Sequence, residues 1–222
     1  GSASRPRNKG LELTQTPYVT YLDPDNEQVN DTYIRLLDRV KDTGADFAIG
    51  NMVRFKGKRN RINNSKELKK AMAKSAALDG NNADLLEKLG FKPMSIQALV
   101  ADTAWLKSLN LEQPVGAVGQ DSYFFQQMLY YARKVSITSR AAHIYYAEIS
   151  TSTVNAISPK YYKKYLPLEE DRAKWLKEVG LLRAYQEDRF NQFLEHWYVK
   201  KLENVDPDDL DECIDSVSYT HL

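Results

Sequence analysis

Two carboxylates two residues apart, Asp23 and Asp25, close a strand-like apolar run, Tyr18-Val19-Thr20-Tyr21-Leu22, with Pro24 between them. Alternate residues of a strand share a face, so both acids leave the same edge of a sheet, and the fixed φ of Pro24 stiffens the turn. Oxygen donors so placed suit a hard divalent cation and the phosphates it carries. A further acid, Asp121, follows Gly119-Gln120 and opens a helical run to Arg133. Read alone, Asp121 is an acid at a helix N-terminus, stabilised by the unpaired amides of the first turn.

The elements that must position these acids alternate between strand and helix. Asn8–Leu13 reads as a short helix and Tyr18–Leu22 as a buried strand. Glu27–Lys41 reads as an amphipathic helix with Val29, Tyr33, Leu36, Leu37 and Val40 on its inner face, stopped by Asp42-Thr43-Gly44. Ala45–Phe55 is expected as a strand. Lys56-Gly57-Lys58-Arg59-Asn60-Arg61 follows as a basic turn, either solvated or facing phosphate or a membrane surface. Ser65–Ala77 reads as a helix before the breaker Asp79-Gly80-Asn81-Asn82. Ser95–Val100 is expected as a strand, Asp102–Leu109 and Asp121–Arg133 as helices, and Val135–Thr138 and Ile144–Glu148 as short strands. Such alternation gives an α/β sheet with helices on its faces. From Pro159 the pattern is helical, over Leu168–Leu182 and Tyr185–Leu202, with Trp175, Val179, Phe190, Phe193 and Trp197 at helical spacing.

Composition narrows the class. A hydrophobic fraction of 42% in 222 residues supplies a core, and 14 Tyr beside 7 Phe and 3 Trp give many half-wet aromatic positions. The formal charge of +1 argues against bulk electrostatic capture of nucleic acid. Cys213 is the only cysteine, which excludes an internal disulfide and a Cys-based zinc site and points to a reducing compartment. No run approaches the length of a membrane span, and no signal-like segment opens the chain. The first residues lack Met, and an N-terminal piece is expected to precede them.

Four motifs in order carry a resemblance: Arg7-Asn8-x-Gly10; Tyr18-x-x-Tyr21-Leu22-Asp23-Pro24-Asp25-Asn26; a helix and then Gly44-Ala45-Asp46-Phe47; and Gly119-Gln120-Asp121 at a helix start. Together they resemble the second half of a family 2 glycosyltransferase of the GT-A fold, over Arg7 to Ser152. The resemblance implies an α/β fold, an incomplete GT-A mixed sheet with flanking helices followed by a helical C-terminal extension. It implies an inverting, metal-dependent glycosyltransferase that moves a sugar from a nucleotide-sugar donor, a UDP-sugar, to a hydroxyl of a glycan, cell-surface polymer or glycoprotein. By the same resemblance Asp25 would bind the Mn²⁺ or Mg²⁺ that bridges the donor phosphates, and Asp23 would contact that metal or the ribose. Asn26 stands where the family often has a further Asp. Arg7, Asn8 and Arg54 would lie against the donor, and His143 is a third candidate metal ligand. Asp121 resembles the general base that takes the proton of the attacking hydroxyl, a task suited to a carboxylate ionised at neutral pH. Ser150-Thr151-Ser152-Thr153 resembles a stretch near the acceptor. The family's upstream nucleotide-binding strands are not in this chain, so the fragment is expected to transfer poorly or not at all.

Residues 1–157 are thus read as a partial GT-A domain, 158–215 as a helical extension similar to those on bacterial enzymes that glycosylate surface polymers or serine-rich adhesins, and 216–222 as a non-native tail. The expected setting is the cytoplasm, at the inner face of the membrane by peripheral association, with the C-terminal helices as an acceptor platform or a homo-oligomer interface. Two other classes compete. Asp23-x-Asp25 after an apolar strand also resembles the nucleophile loop of a haloacid-dehalogenase-like phosphatase, although Glu27 stands where a Thr or Val belongs. A non-catalytic interaction module would use the sheet as a scaffold and the aromatic helices to hold a protein. An EF-hand is excluded, since Gln28 and Ile34 fall where the turn glycine and the final acid are needed.

Overall fold

The computed structural model describes residues 3–147 and 157–218. Its centre is a mixed sheet. Helix α1 (Ser4–Leu13) leads to β1 (Tyr18–Val19), β2 (Glu27–Gln28), α2 (Thr32–Thr43), β3 (Phe47–Lys56), β4 (Lys58–Ile62), α3 (Asn64–Met72) and α4 (Ala83–Lys88). A 3-10 turn at Ile96–Ala98 precedes β5 (Leu99–Asp102), α5 (Thr103–Ser108), α6 (Gln120–Tyr131) and β6 (Val135–Tyr146). The strand order is β1-β5-β3-β6-β2, with β4 hairpinned onto β3. Only the β3–β6 pair among these is parallel.

Several elements differ from the sequence reading, each for a tertiary reason. Glu27 and Gln28 do not open a helix but pair with Ile144 and His143 of β6, and α2 begins only at Thr32. The basic turn is the tip of the β3–β4 hairpin, reversed at Gly57 with φ of 61°. The two short strands after Arg133 are one strand, β6, whose register against β3 shifts around Asn51. Gly50 permits that shift: a Cβ there would sit 2.8 Å from the Arg140 carbonyl oxygen, closer than any side chain tolerates. Ser95 caps the 3-10 turn, where its hydroxyl accepts from the Gln97 N–H, so only the end of the expected Ser95–Val100 strand is extended.

Phe47, Ala48 and Ile49 of β3 are fully buried, as are Leu36 of α2 and Phe125, Met128 and Leu129 of α6. A helix apolar on every side must be covered on every side. Helix α6 is of this kind, and its outer cover is α7 (Pro159–Glu178), with Tyr123 and Tyr130 packed edge-on against Trp175 at 5.8 and 5.6 Å. The helical extension therefore shares the main core, through Leu168, Trp175, Leu176, Tyr185 and Phe190. Beyond α7, residues 182–199 wind on with α-helical turns α8 (Leu182–Tyr185) and α9 (Asn191–Leu194) alternating with wider π turns. Helix α10 (Leu210–Ser218) closes a second cluster of Tyr161, Tyr162, Tyr165, Tyr198 and Cys213. Ser216 is buried in α10, so the helical pattern runs into the segment that the sequence reading set aside as a tail.

Candidate active site

The loop after β1 is held by α1 and by the 3-10 turn before β5. Arg7 reaches from α1 and donates through Nη2 to both oxygens of Asp23, at 2.6 and 2.8 Å. Gln97, 5% exposed, binds the same loop from below. Its Oε1 accepts from the Asp23 N–H and from Asn26 Nδ2, both at 2.8 Å, and its Nε2 donates to Asp23 Oδ2 at 3.0 Å. Tyr33 of α2 fixes Gln97 in turn, donating to its carbonyl at 2.6 Å. The Asn26 N–H closes a turn on the Asp23 carbonyl at 3.0 Å. This turn presents Asp25 to solvent, and among the described residues its carboxylate has no hydrogen bond or ion pair.

Asp121 enters from another direction, in the first turn of α6. Gly119 precedes it with φ of 81°, a left-handed conformation that suits glycine, and a Cβ there would lie 3.3 Å from Leu168 Cδ2. The Ser122 N–H donates to Asp121 Oδ1 at 3.0 Å. Burial pushes the Asp121 carboxyl above the usual carboxylate range; Arg7 draws it back down, while the charge of Asp23 pushes it further up. The residue facing all the expected acids is Tyr145 of β6. Burial raises its phenol above the ordinary tyrosine value, Arg54 opposes this, and Asp25, Asp121 and Asp23 reinforce it. Asp23, Asp25, Asp121 and Arg54 thus all lie near enough to act on one hydroxyl. Arg54 itself is an exposed residue of β3, opposite Tyr145 in register.

The remaining expectations divide. His143 shares a strand face with Tyr145 and is 1% exposed, with neither ring nitrogen hydrogen-bonded. Burial lowers its pKa to about 4, against a weaker upward pull from Asp23, so the imidazole is neutral at pH 7. Asn8 clamps the Gln113 backbone with its amide, donating to the carbonyl at 2.9 Å and accepting from the N–H at 3.0 Å. Asp23 does not present free oxygens, since both are engaged by Arg7 and one also by Gln97. Among the described residues no group of three or more His, Cys, Asp or Glu side chains is close enough to hold a metal ion. Ser150–Thr153 lies outside the described residues. Gln97 and Tyr145 went unnoticed in the sequence, where a lone Gln and a Tyr in a tyrosine-rich chain carry no motif. A pocket of about 410 Å³ on the C-terminal helices, lined by Arg189, Gln192, Phe193, His196, Trp197 and Lys201, contains none of the expected site residues.

Residues 3–93, which hold α1, the Asp23–Asn26 turn and the β3–β4 hairpin, match the model of the family described as Glycosyl transferase family 2. This stretch, less than half of the chain, is similar to glycosyltransferase family 2. Solved structures share the fold across nearly the whole chain. S. aureus TarS 1-349 in complex with UDP-GlcNAc superposes with a TM-score of 0.64 at 16% identity, covering 98% of this chain and 60% of that one. S. aureus TarS 1-349 gives 0.57 at 16% identity, covering 98% and 61%, and its complex with UDP gives 0.54 at 18%, covering 97% and 61%. The chain therefore spans about three fifths of the length of these structures. The mixed sheet with flanking helices is that of a partial GT-A fold, with a helical C-terminal part. A comparison with curated proteins finds no significant match. Among the described residues no helix is long and apolar enough to cross a membrane.

Proposed function

We propose that the chain contributes the metal loop and the acceptor half of an inverting glycosyltransferase that draws on a nucleotide-sugar, with a UDP-sugar as donor. One observation supports this most: Asp121 lies in the field of Asp23 and of its Arg7 partner, although Asp23 and Asp121 are far apart in the sequence. In this reading the Asp121 carboxylate accepts the proton of an acceptor hydroxyl as that oxygen attacks the sugar. A carboxylate whose pKa is raised above its usual range is the stronger base for that step. UDP-GlcNAc, present in a TarS complex, is the first nucleotide-sugar to test.

The residues fit a hard divalent cation in a spare form. Such ions are commonly held by one or two carboxylates together with substrate phosphates. Asp25 offers an exposed carboxylate without a protein partner, and His143 offers two unpartnered buried nitrogens on a neutral ring. Asp25 is thus assigned to Mn²⁺ or Mg²⁺, His143 stands as a second donor, and Asp23 is assigned to orienting the loop through Arg7 and Gln97. A bound cation would supply charge to offset the departing diphosphate. Arg7 and Arg54 would add fixed positive charge toward the donor, and Tyr145 offers a hydroxyl within the field of Asp25, Asp121 and Asp23. The single buried, free cysteine, Cys213, supports a cytoplasmic setting. The acceptor, a surface glycan, polymer or glycoprotein at the membrane face, remains part of the same proposal.

A screen of UDP-GlcNAc turnover by the full-length protein, with and without Mn²⁺, tests the reading. Metal-stimulated release of UDP is expected. Hydrolysis of phosphate monoesters instead would favour the phosphatase, and the absence of any nucleotide or metal binding would favour the interaction module.

A further inference from the structure

We infer that Arg172, on the helical extension, is a positioning residue for Asp121 that acts through Ser122. The inference rests on Asp121 being the base. Arg172 and its partner Glu169 are 3% and 2% exposed, an ion pair taken out of water within one helix. The guanidinium donates from Nη1 to Glu169 Oε1 at 2.6 Å and to the Tyr185 hydroxyl at 2.9 Å. From Nη2 it donates across to Ser122 Oγ at 3.0 Å. Ser122 Oγ in turn donates to the Gly119 carbonyl at 2.6 Å, and the Ser122 N–H holds Asp121 Oδ1 at 3.0 Å. One chain of hydrogen bonds thus runs from Glu169 to the turn that aims the carboxylate.

Packing fixes the same turn from the same side. The rings of Tyr123, Tyr185 and Phe193 surround the guanidinium at 5.9, 5.7 and 5.8 Å, and Leu168 and Tyr165 close over Gly119. Burial works against the Arg172 charge, but Glu169 and Tyr185 more than restore it, so the cation persists at every working pH. A buried ion pair is seldom more stabilising than apolar residues of the same volume, so its net contribution to folding does not account for it. What apolar residues could not do is hold the Ser122 hydroxyl in one rotamer. Small misplacements of a catalytic group lower turnover severely, and a fixed Ser122 prevents one.

The test is steady-state turnover of UDP-GlcNAc with Mn²⁺ by the full-length protein carrying Ser122→Ala, Ser122→Thr, Arg172→Lys or Asp121→Asn. Ser122→Ala is expected to lower kcat roughly tenfold while leaving the donor KM within twofold, and Ser122→Thr, which keeps the hydroxyl, to recover most of the loss. In an Asp121→Asn background Ser122→Ala should add nothing, because there is no base left to aim. Unchanged kcat in Ser122→Ala and Arg172→Lys, with Asp121→Asn inactive, overturns the positioning role alone. Full turnover in Asp121→Asn overturns the base itself. Should Arg172→Lys fail to fold, hydrogen exchange of the 222-residue chain carrying Ser122→Ala decides. Faster exchange confined to residues 117–124 supports the link, and unchanged exchange there refutes it.

Discussion

Replacing Gln97 with Leu removes an amide of similar volume from beneath the Asp23–Asn26 turn. The side chain makes three hydrogen bonds there, two of them neutral and one to the Asp23 carboxylate. A neutral bond contributes about 0.5–1.5 kcal/mol net and one to a charged group about 1.5–3 kcal/mol. The Asp23 side chain is 31% exposed, so water replaces part of what is lost. A net destabilisation of about 2–3 kcal/mol is therefore expected, equivalent to a fall in Tm of about 4–12 °C for a chain of this size. Urea unfolding of the 222-residue chain measures it, with an unchanged m-value showing that the native state is otherwise intact. The same variant should weaken Mn²⁺-dependent UDP binding by the full-length protein, because Asp25 is presented by that turn alone. A loss below about 0.5 kcal/mol together with undiminished binding would show that Gln97 does not organise the loop.

Four further outcomes follow from the same geometry. Asp121→Asn should lower turnover by roughly 10²–10⁴ with donor affinity nearly unchanged. Because the folded pKa of Asp121 is raised, its contribution is full below about 3.8 and lost as pH rises through the folded value, so wild type should lose stability relative to Asp121→Asn over that interval, and a gain would refute the burial argument. His143 has the opposite sign. Its folded pKa of about 4 lies below the ordinary 6.5, so stability is full above pH 6.5 and falls by about 3 kcal/mol towards pH 4, a dependence that His143→Leu should abolish in urea titrations across that range. Gly119→Ala should cost about 1–2 kcal/mol and misplace Asp121, read as a lower Tm and a lower kcat together, given its φ of 81° and the 3.3 Å approach to Leu168.

The sequence made the order of elements legible because β3 and α6 contain continuous apolar runs and the apolar residues of α2 recur at helical spacing. It made the acids legible because Asp23-x-Asp25 and Gly119-Gln120-Asp121 are local patterns. What it concealed is set by distant pairing. Gln97 meets Asp23 across 74 positions, and Arg172 meets Ser122 across 50. Glu27 and Gln28 look helical until β6 offers them a ladder, and Gly50 explains itself only when the Arg140 carbonyl is beside it. Asp23 shows the same limit at the site: its type and spacing suit a cation, yet Arg7 occupies both its oxygens.

The central claim is that Asp25 and Asp121 flank one cleft, the first on the phosphate side and the second on the acceptor side. A crystal of the full-length protein grown with UDP-GlcNAc and Mn²⁺, examined for anomalous scattering from manganese, tests it most directly. The account predicts a manganese peak at the Asp25 carboxylate, with the sugar lying between it and Asp121. A nucleotide bound elsewhere, or a peak without Asp25 among its ligands, would contradict it.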